Sequence, residues 1–111
     1  MKELIVYDDF EKLDIRAGKI ISASSPEWSD KLIRYEIDFG EDIGIRILFS
    51  GIRKWYSPED LMGKIVPVIV NMTPKKMGDE KSEGMTIMVD GKEGPMLIFL
   101  PETVELGSVI R

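Results

Sequence analysis

The sequence predicts an all-β fold: a five-stranded closed barrel with one short helical turn and extra strands at its C-terminal end. Three observations carry this. Apolar and polar residues alternate with period two along much of the chain, the spacing of strands with one buried face. Glycines punctuate the alternation where a strand must bend or turn. One helical turn, capped by serine and opened by proline, separates the third strand from the fourth. Many short strands with a single helix indicate a small barrel rather than a layered α/β domain.

The elements follow in order. Leu13, Ile15 and Ala17 alternate with Asp14 and Arg16; the phase slips at Gly18 before Ile20-Ile21, so a bulge in a strongly curved strand is expected there. Ile33, Tyr35, Ile37 and Phe39 share one face of the second strand, and Arg34, Glu36 and Asp38 the other. Gly40-Glu41-Asp42 reads as a turn, after which Ile43, Ile45, Ile47 and Phe49 alternate with Gly44, Arg46, Leu48 and Ser50. The two runs form a hairpin. Ser57-Pro58-Glu59-Asp60 starts the helical turn, and Gly63 stops it. The apolar run Ile65 to Met72 is a strand buried on both faces, with Pro67 demanding an edge or bulge position. Asn71 to Lys81 reads as a loop, Gly84 to Val89 as a strand, Asp90 to Gly94 as a turn, and Met96 to Leu100 as a last short strand. Val104, Leu106, Val109 and Ile110 make the tail too apolar to stay solvated. A barrel of strongly curved strands with a helix between the third and fourth is an OB-fold.

With 111 residues the chain holds one domain. It has no histidine and no cysteine, which removes zinc sites of the usual ligand sets, thiol nucleophiles, serine–histidine relays and disulfides. Phosphate-binding glycine loops, nucleophile elbows and EF-hand spacings are missing. The paired carboxylates Asp8-Asp9, Glu41-Asp42, Glu59-Asp60 and Asp79-Glu80 fall in turns or at element ends, where acids are ordinarily solvated. The expectation is a non-enzyme with no cofactor, no metal and no small-molecule substrate. The first residues turn acidic too early for a signal peptide, and no apolar run reaches the ~20 residues of a membrane span. No membrane partner and a cytoplasmic location are expected.

Charge is unevenly spread. The net charge is -5, yet residues 43–78 carry six basic residues against Glu59 and Asp60 alone, a local +4. Both ends are acidic. A local basic surface can hold a polyanion despite a negative total, because charges beyond ~10 Å are screened at 0.1 M salt. A mixed, solubilising surface accounts for the same counts.

Four segments, taken together, resemble the tRNA-binding domain family. Phe10-Glu11-Lys12-Leu13-Asp14-Ile15-Arg16-Ala17-Gly18-Lys19-Ile20 is similar to its opening strand, and Ser29-Asp30-Lys31-Leu32 to its A-D-K-L. Ser50-Gly51-Ile52 through Tyr56-Ser57-Pro58-Glu59-Asp60-Leu61-Met62-Gly63-Lys64 resembles S-G-I followed by Y-x-P-E-E-L-x-G-K. Asn71-Met72-Thr73-Pro74-Lys75-Lys76-Met77-Gly78, then Ser82-Glu83-Gly84-Met85, looks like N-L-x-P-(K/R)-K with a following S-x-G-M. The family includes a dimeric tRNA-binding protein, the C-terminal domain or beta subunit of methionyl-tRNA synthetase, and the CsaA-type export chaperone. The resemblance implies an OB-fold that binds tRNA by shape at its outside corner. It also implies a homodimer formed by segments flanking the barrel, here roughly residues 94–111, acting alone or as a trans-acting tRNA-binding subunit of an aminoacyl-tRNA synthetase of the methionyl type. This sequence departs from the pattern at Ser25-Pro26-Glu27-Trp28, at Thr73, and at Asp79-Glu80, which adds acids beside the RNA loop. Ile37 to Ile45 resembles the CsaA branch, so binding of unfolded polypeptide is the alternative function.

The candidate tRNA-binding residues are Lys31, Arg34, Arg46, Arg53, Lys54, Asn71, Lys75, Lys76, Ser82 and Met85. In an OB-fold the second and third strands line the ligand face, where Lys31, Arg34 and Arg46 would track phosphates or simply be solvated. Arg53 and Lys54 are either phosphate contacts or exposed loop charges. Trp55 and Tyr56 either stack on bases or close the barrel end, and Trp28 sits in a polar loop as an exposed aromatic. The loop joining the fourth and fifth barrel strands is one of the two that grip oligonucleotides. There Lys75 and Lys76 supply charge, Asn71 and Ser82 hydrogen bonds, and Met85 a soft apolar surface. A tight turn at Ser82 and core packing of Met85 are the structural alternatives.

Overall fold

The computed structural model describes residues 1–111. A short helix α1 (Tyr7–Glu11) leads into β1 (Ile15–Ser24), β2 (Ile33–Asp38) and β3 (Ile45–Ser50). The helical turn α2 (Pro58–Leu61) and β4 (Ile65–Ile69) follow. Six short strands complete the chain: β5 (Lys75–Met77), β6 (Glu80–Ser82), β7 (Met85–Thr86), β8 (Met88–Gly91), β9 (Gly94–Leu97) and β10 (Val109–Ile110). No helix is long and apolar enough to cross a membrane.

The main sheet runs β3-β2-β1-β4-β7, with β10 also paired to β1. β1 serves two partners in succession: Ile15 to Lys19 pair with β4, and Lys19 to Ser24 with β2. A strand shared in this way must coil, and coiling curls the sheet toward closure. The gap is closed by the chain entering β7. Glu83 N–H donates to Ile47 O at 2.8 Å, its Oε1 accepts from Ile47 N–H at 3.0 Å, and Ser82 Oγ accepts from Phe49 N–H at 3.0 Å. The result is the expected OB barrel, with Ile20, Ile33, Ile37, Leu48, Leu61 and Val66 in its sealed core. The Tyr35 hydroxyl is buried among them and is satisfied by Ser50 and Thr86. Burial holds its pKa above the ordinary phenol value.

Gly18 and the bulge prove to be separate devices. The register shift lies between Ile20 and Ser22. Gly18 instead lets β2 pass close by: a Cβ there would sit 2.4 Å from Ile37 Cγ2. Pro67 occupies an inner strand in unbroken register with β1, contrary to the expected edge or bulge position. It pairs with Ala17, whose own N–H and C=O turn away from β4 toward Ser108 and Gly107. The proline nitrogen therefore faces the β7 side. There Pro67 O accepts from Ile87 N–H at 3.1 Å and the ladder ends. The missing donor falls where no acceptor needs it.

Four expectations are corrected. The β2–β3 hairpin forms, but its connection is longer than three residues, with left-handed glycines Gly40 and Gly44 at φ +86 and +81. The connection resets the phase. Leu48 pairs with Tyr35 and is buried, while Ile45 is exposed and Phe49 lies opposite Arg34 on the outer face, where Trp28 packs against it and it too is buried. Residues 71–81 are not merely a loop, since β5 and β6 form a small hairpin within them. Gly84 to Val89 is two strands broken at Ile87, and β8 pairs with β9 outside the main sheet. The helix α1 has no counterpart in the sequence reading; it buries no residue, so it leaves no apolar stripe to read. The predicted turn at Ser57 holds, with Asp60 Oδ2 accepting from Ser57 N–H at 2.9 Å. Tyr56 packs against the core, and its hydroxyl accepts from Leu97 N–H. Trp55 lies more exposed, over Gly94, donating Nε1–H to Glu93 O at 2.8 Å.

Candidate nucleic-acid interface

The outer face of β2 and β3 and the β5–β6 hairpin enclose one shallow site. Phe49 forms part of its wall because the β3 register turns it outward. Trp28, from the β1–β2 connection, is 56% exposed and packs on Phe49 with ring centroids 5.9 Å apart. The hairpin tip leans on that indole. Gly78 adopts φ +62, and a Cβ there would come within 3.0 Å of the Trp28 ring. Glycine thus serves both the left-handed turn and the close approach.

Between the hairpin, β3 and β7 lies a depression of about 260 Å³. Phe49, Met72, Met77 and Met85 make it apolar, and Thr73, Lys75, Ser82 and Gly84 complete it. Met85 is 47% exposed, so its thioether is available at the surface rather than packed in the core. Three methionines give the depression a surface that can adapt its shape.

The hairpin pairing distributes its charges. Lys75 pairs with Ser82 and Met77 with Glu80, on the side toward the barrel. Lys76 and Lys81 stand directly opposite one another on the other side, where like charges repel. None of the three lysines takes part in a salt bridge. They form a cluster of cations that a polyanion would relieve.

The structure brings Lys75, Ser82 and Met85 together at the depression, with Lys76 on the back of the same hairpin. Ser82, however, is buried, and its Oγ is spent on the Phe49 N–H. Asn71 is also engaged: its Nδ2 donates to Lys12 O at 2.7 Å and its Oδ1 accepts from Asp14 N–H at 2.8 Å, fixing the entry to β1. Arg46 does not lie on the outer face. It pairs with Ile37 and donates to Val70 O at 2.7 Å and Glu83 O at 3.2 Å, bracing the barrel seam. Arg53 donates to Pro26 O and Ser29 O, tying down the Trp28 loop. Arg34 is on the outer face but forks onto Glu80, at 2.7 and 2.9 Å, with Glu36 at 3.5 Å. That hydrogen bond holds the Glu80 carboxyl below its ordinary pKa and the Arg34 guanidinium above its own. Lys31 and Lys54 are exposed away from the depression; the Lys54 ammonium lies 5.6 Å from the Trp55 ring centre.

The sequence reading left Phe49, Met72, Met77 and Lys81 out of the candidate set. Met72 and Met77 lie inside the quoted Asn71 to Gly78 segment, as apolar neighbours of the lysines; Met72 is exposed and Met77 half-buried. Phe49 was concealed by the phase shift.

Comparison with known proteins agrees with this geometry. The family model described as "Putative tRNA binding domain" matches residues 15–109. The chain is 37% identical over 109 residues to a methionine--tRNA ligase of Pyrococcus horikoshii, covering 98% of this chain but only 15% of that protein. Its fold superposes on the crystal structure of a MetRS related protein from Pyrococcus horikoshii with a TM-score of 0.91 and 33% identity, covering 99% and 100% of the two chains. It superposes on the chaperone CsaA from Bacillus anthracis with a TM-score of 0.85 and 31% identity, covering 98% and 100%. With a barrel of this topology, a match spanning β1 to β10 and the lysine hairpin in register with the quoted motifs, the chain belongs to the tRNA-binding domain family.

Proposed function

We propose that this chain binds folded tRNA through the β5–β6 hairpin and the adjoining depression, and catalyses no reaction on it. The observation that carries the reading is the group of unpaired cations Lys75, Lys76 and Lys81 beside the apolar depression. Phosphates supply the counter-charge that the lysines lack, and an unstacked base or ribose fits against the exposed Met72 and Met85. Lys31 and Lys54 extend the contact along the same backbone. The curated relatives named methionine--tRNA ligase are far longer, and this chain spans about 15% of the one described. A role as a tRNA-holding part of a methionyl-type synthetase, or in trans to one, is therefore part of the proposal. So is a homodimer.

Binding by three to six cations predicts a log affinity that falls with log salt at a slope of roughly -2 to -5. A filter or anisotropy titration with total tRNA, competed by duplex DNA, checks it. A salt-independent affinity, or equal binding of duplex DNA, counts against shape-specific tRNA recognition. The apolar depression favours one second reading, binding of an unfolded polypeptide, in keeping with the likeness to CsaA. An unfolded polypeptide in the same titration separates the two.

A further inference from the structure

The only arginine among the candidates that faces outward on the ligand side, Arg34, is occupied by a carboxylate of the same chain. Its Nε and Nη2 donate to Glu80 Oε1 and Oε2 at 2.7 and 2.9 Å, the two-pronged arrangement that a guanidinium also offers to phosphate. The pair joins β2 to the lysine hairpin across 46 residues of sequence. It is open to solvent, with side-chain exposures of 25% and 41%, so an incoming anion can reach it. Glu36 stands 3.5 Å from Nη1, which leaves two carboxylates around one cation. As an anchor the pair duplicates others. The hairpin base is already held by the Ser82–Phe49 hydrogen bond, and its tip by Gly78 against Trp28.

We propose that Glu80 is an internal stand-in for a phosphodiester at Arg34, keeping the guanidinium from RNA until a phosphate displaces the carboxylate. This rests on the reading of the face as RNA-binding. In the exchange Arg34 stays charged, one oxyanion replaces another, and Glu80 turns to solvent. A part-exposed ion pair is weak enough to be exchanged. The consequence is selectivity. An RNA held by the lysines gains the arginine only if its fold brings a second phosphate to β2, and a mis-shaped polyanion meets Glu80 and Glu36 instead.

The test uses the parent, Glu80→Gln, Arg34→Gln and the double variant, titrated with total tRNA and, separately, with inorganic tripolyphosphate. Glu80→Gln is nearly isosteric, and thermal melts of all four proteins verify folding; Glu80→Ala must give the same sign. The expected result is roughly 3- to 10-fold tighter tRNA binding by Glu80→Gln, because the same Arg34–phosphate contact then forms without first breaking an ion pair. The gain must vanish in the double variant. Unchanged or weaker binding by Glu80→Gln overturns the proposal, as does a gain that survives loss of Arg34. If the parent and Glu80→Gln both ignore tRNA while tripolyphosphate binding tightens in an Arg34-dependent way, the RNA reading falls and the role of Glu80 stands.

Discussion

Lys75 and Lys76 carry their charge on long, exposed stems with no carboxylate beside them, so their removal subtracts charge and little else. Changing both to alanine should weaken tRNA binding about 10-fold or more and make the salt slope shallower by about 2. Met85→Ala should weaken binding with a much smaller change in slope, since no charge is lost. Because Met85 is half-exposed, its truncation should cost well under the ~2–5 kcal/mol of a buried methionine, which a melt would verify. For a polypeptide binder the order reverses, with Met85 dominant; anisotropy titrations of folded variants decide it. The same contrast explains which site residues were readable beforehand. A lysine in a Pro- and Gly-bounded segment keeps its role whatever the rest of the chain does. The roles of Arg34, Arg46 and Asn71 depend on partners 46, 37 and 59 residues away, brought near only when the barrel closes. A cation's type and strand position do not reveal that it is already paired.

Two carboxylates govern how individual elements respond to acid. Glu80 ties the β5–β6 hairpin to β2, and Asp60 closes the first turn of α2 on the Ser57 N–H. The Arg34 hydrogen bond lowers the pKa of Glu80 from its ordinary 4.5, and the backbone hydrogen bond from Ser57 lowers that of Asp60 from 3.8. A folded-state pKa below the unfolded one adds stability that is present above the unfolded value and lost as pH falls through the folded value. These two contributions should thus be constant from pH 7 to about 5 and fade below about 4.5. The melting temperature of a Glu80→Gln/Asp60→Asn double variant should fall less steeply than the parent's between pH 5 and 2.5, by scanning fluorimetry. Equal acid slopes would mean that neither contact survives in solution. At this scale β2 was readable because period two persists through Ile33, Tyr35 and Ile37, all buried. β3 was misphased because Gly40 and Gly44 reset the register within the connection. The strands Lys75–Met77 and Glu80–Ser82 are too short and too polar to show any alternation.

The whole molecule sets its basic hairpin against two apolar surfaces that it does not cover itself. Part of the C-terminal segment is absorbed internally: Gly107 and Ser108 bond Ala17, Leu100 N–H donates to Ile65 O, and Ile110 pairs with Ile15. Residues 94–111 are therefore partly a seal for β1 and β4, and the surface left for a second copy is narrower than the segment's composition implies. It consists of Val89, Met96 and Phe99 near the β8–β9 hairpin, and of Leu4, Ile5, Val6 and Tyr7 before and at the start of α1, where Leu4 is 87% exposed. Apolar surface on this scale is costly for a barrel of this size to leave in water. A two-fold arrangement would bury such patches against themselves or each other while leaving both lysine hairpins outside, doubling the cations offered to one RNA. Sedimentation equilibrium at about tens of micromolar, above a micromolar dissociation constant, should return the dimer mass. Replacing Leu4, Ile5 and Phe99 by serine should return the monomer mass with the melt largely kept, because all three are exposed and carry no core packing. The monomeric variant should then bind tRNA more weakly and with a shallower salt slope, although no lysine has been touched. A parent that sediments as a monomer at those concentrations removes the dimer. An unchanged slope in the variant separates it from RNA binding.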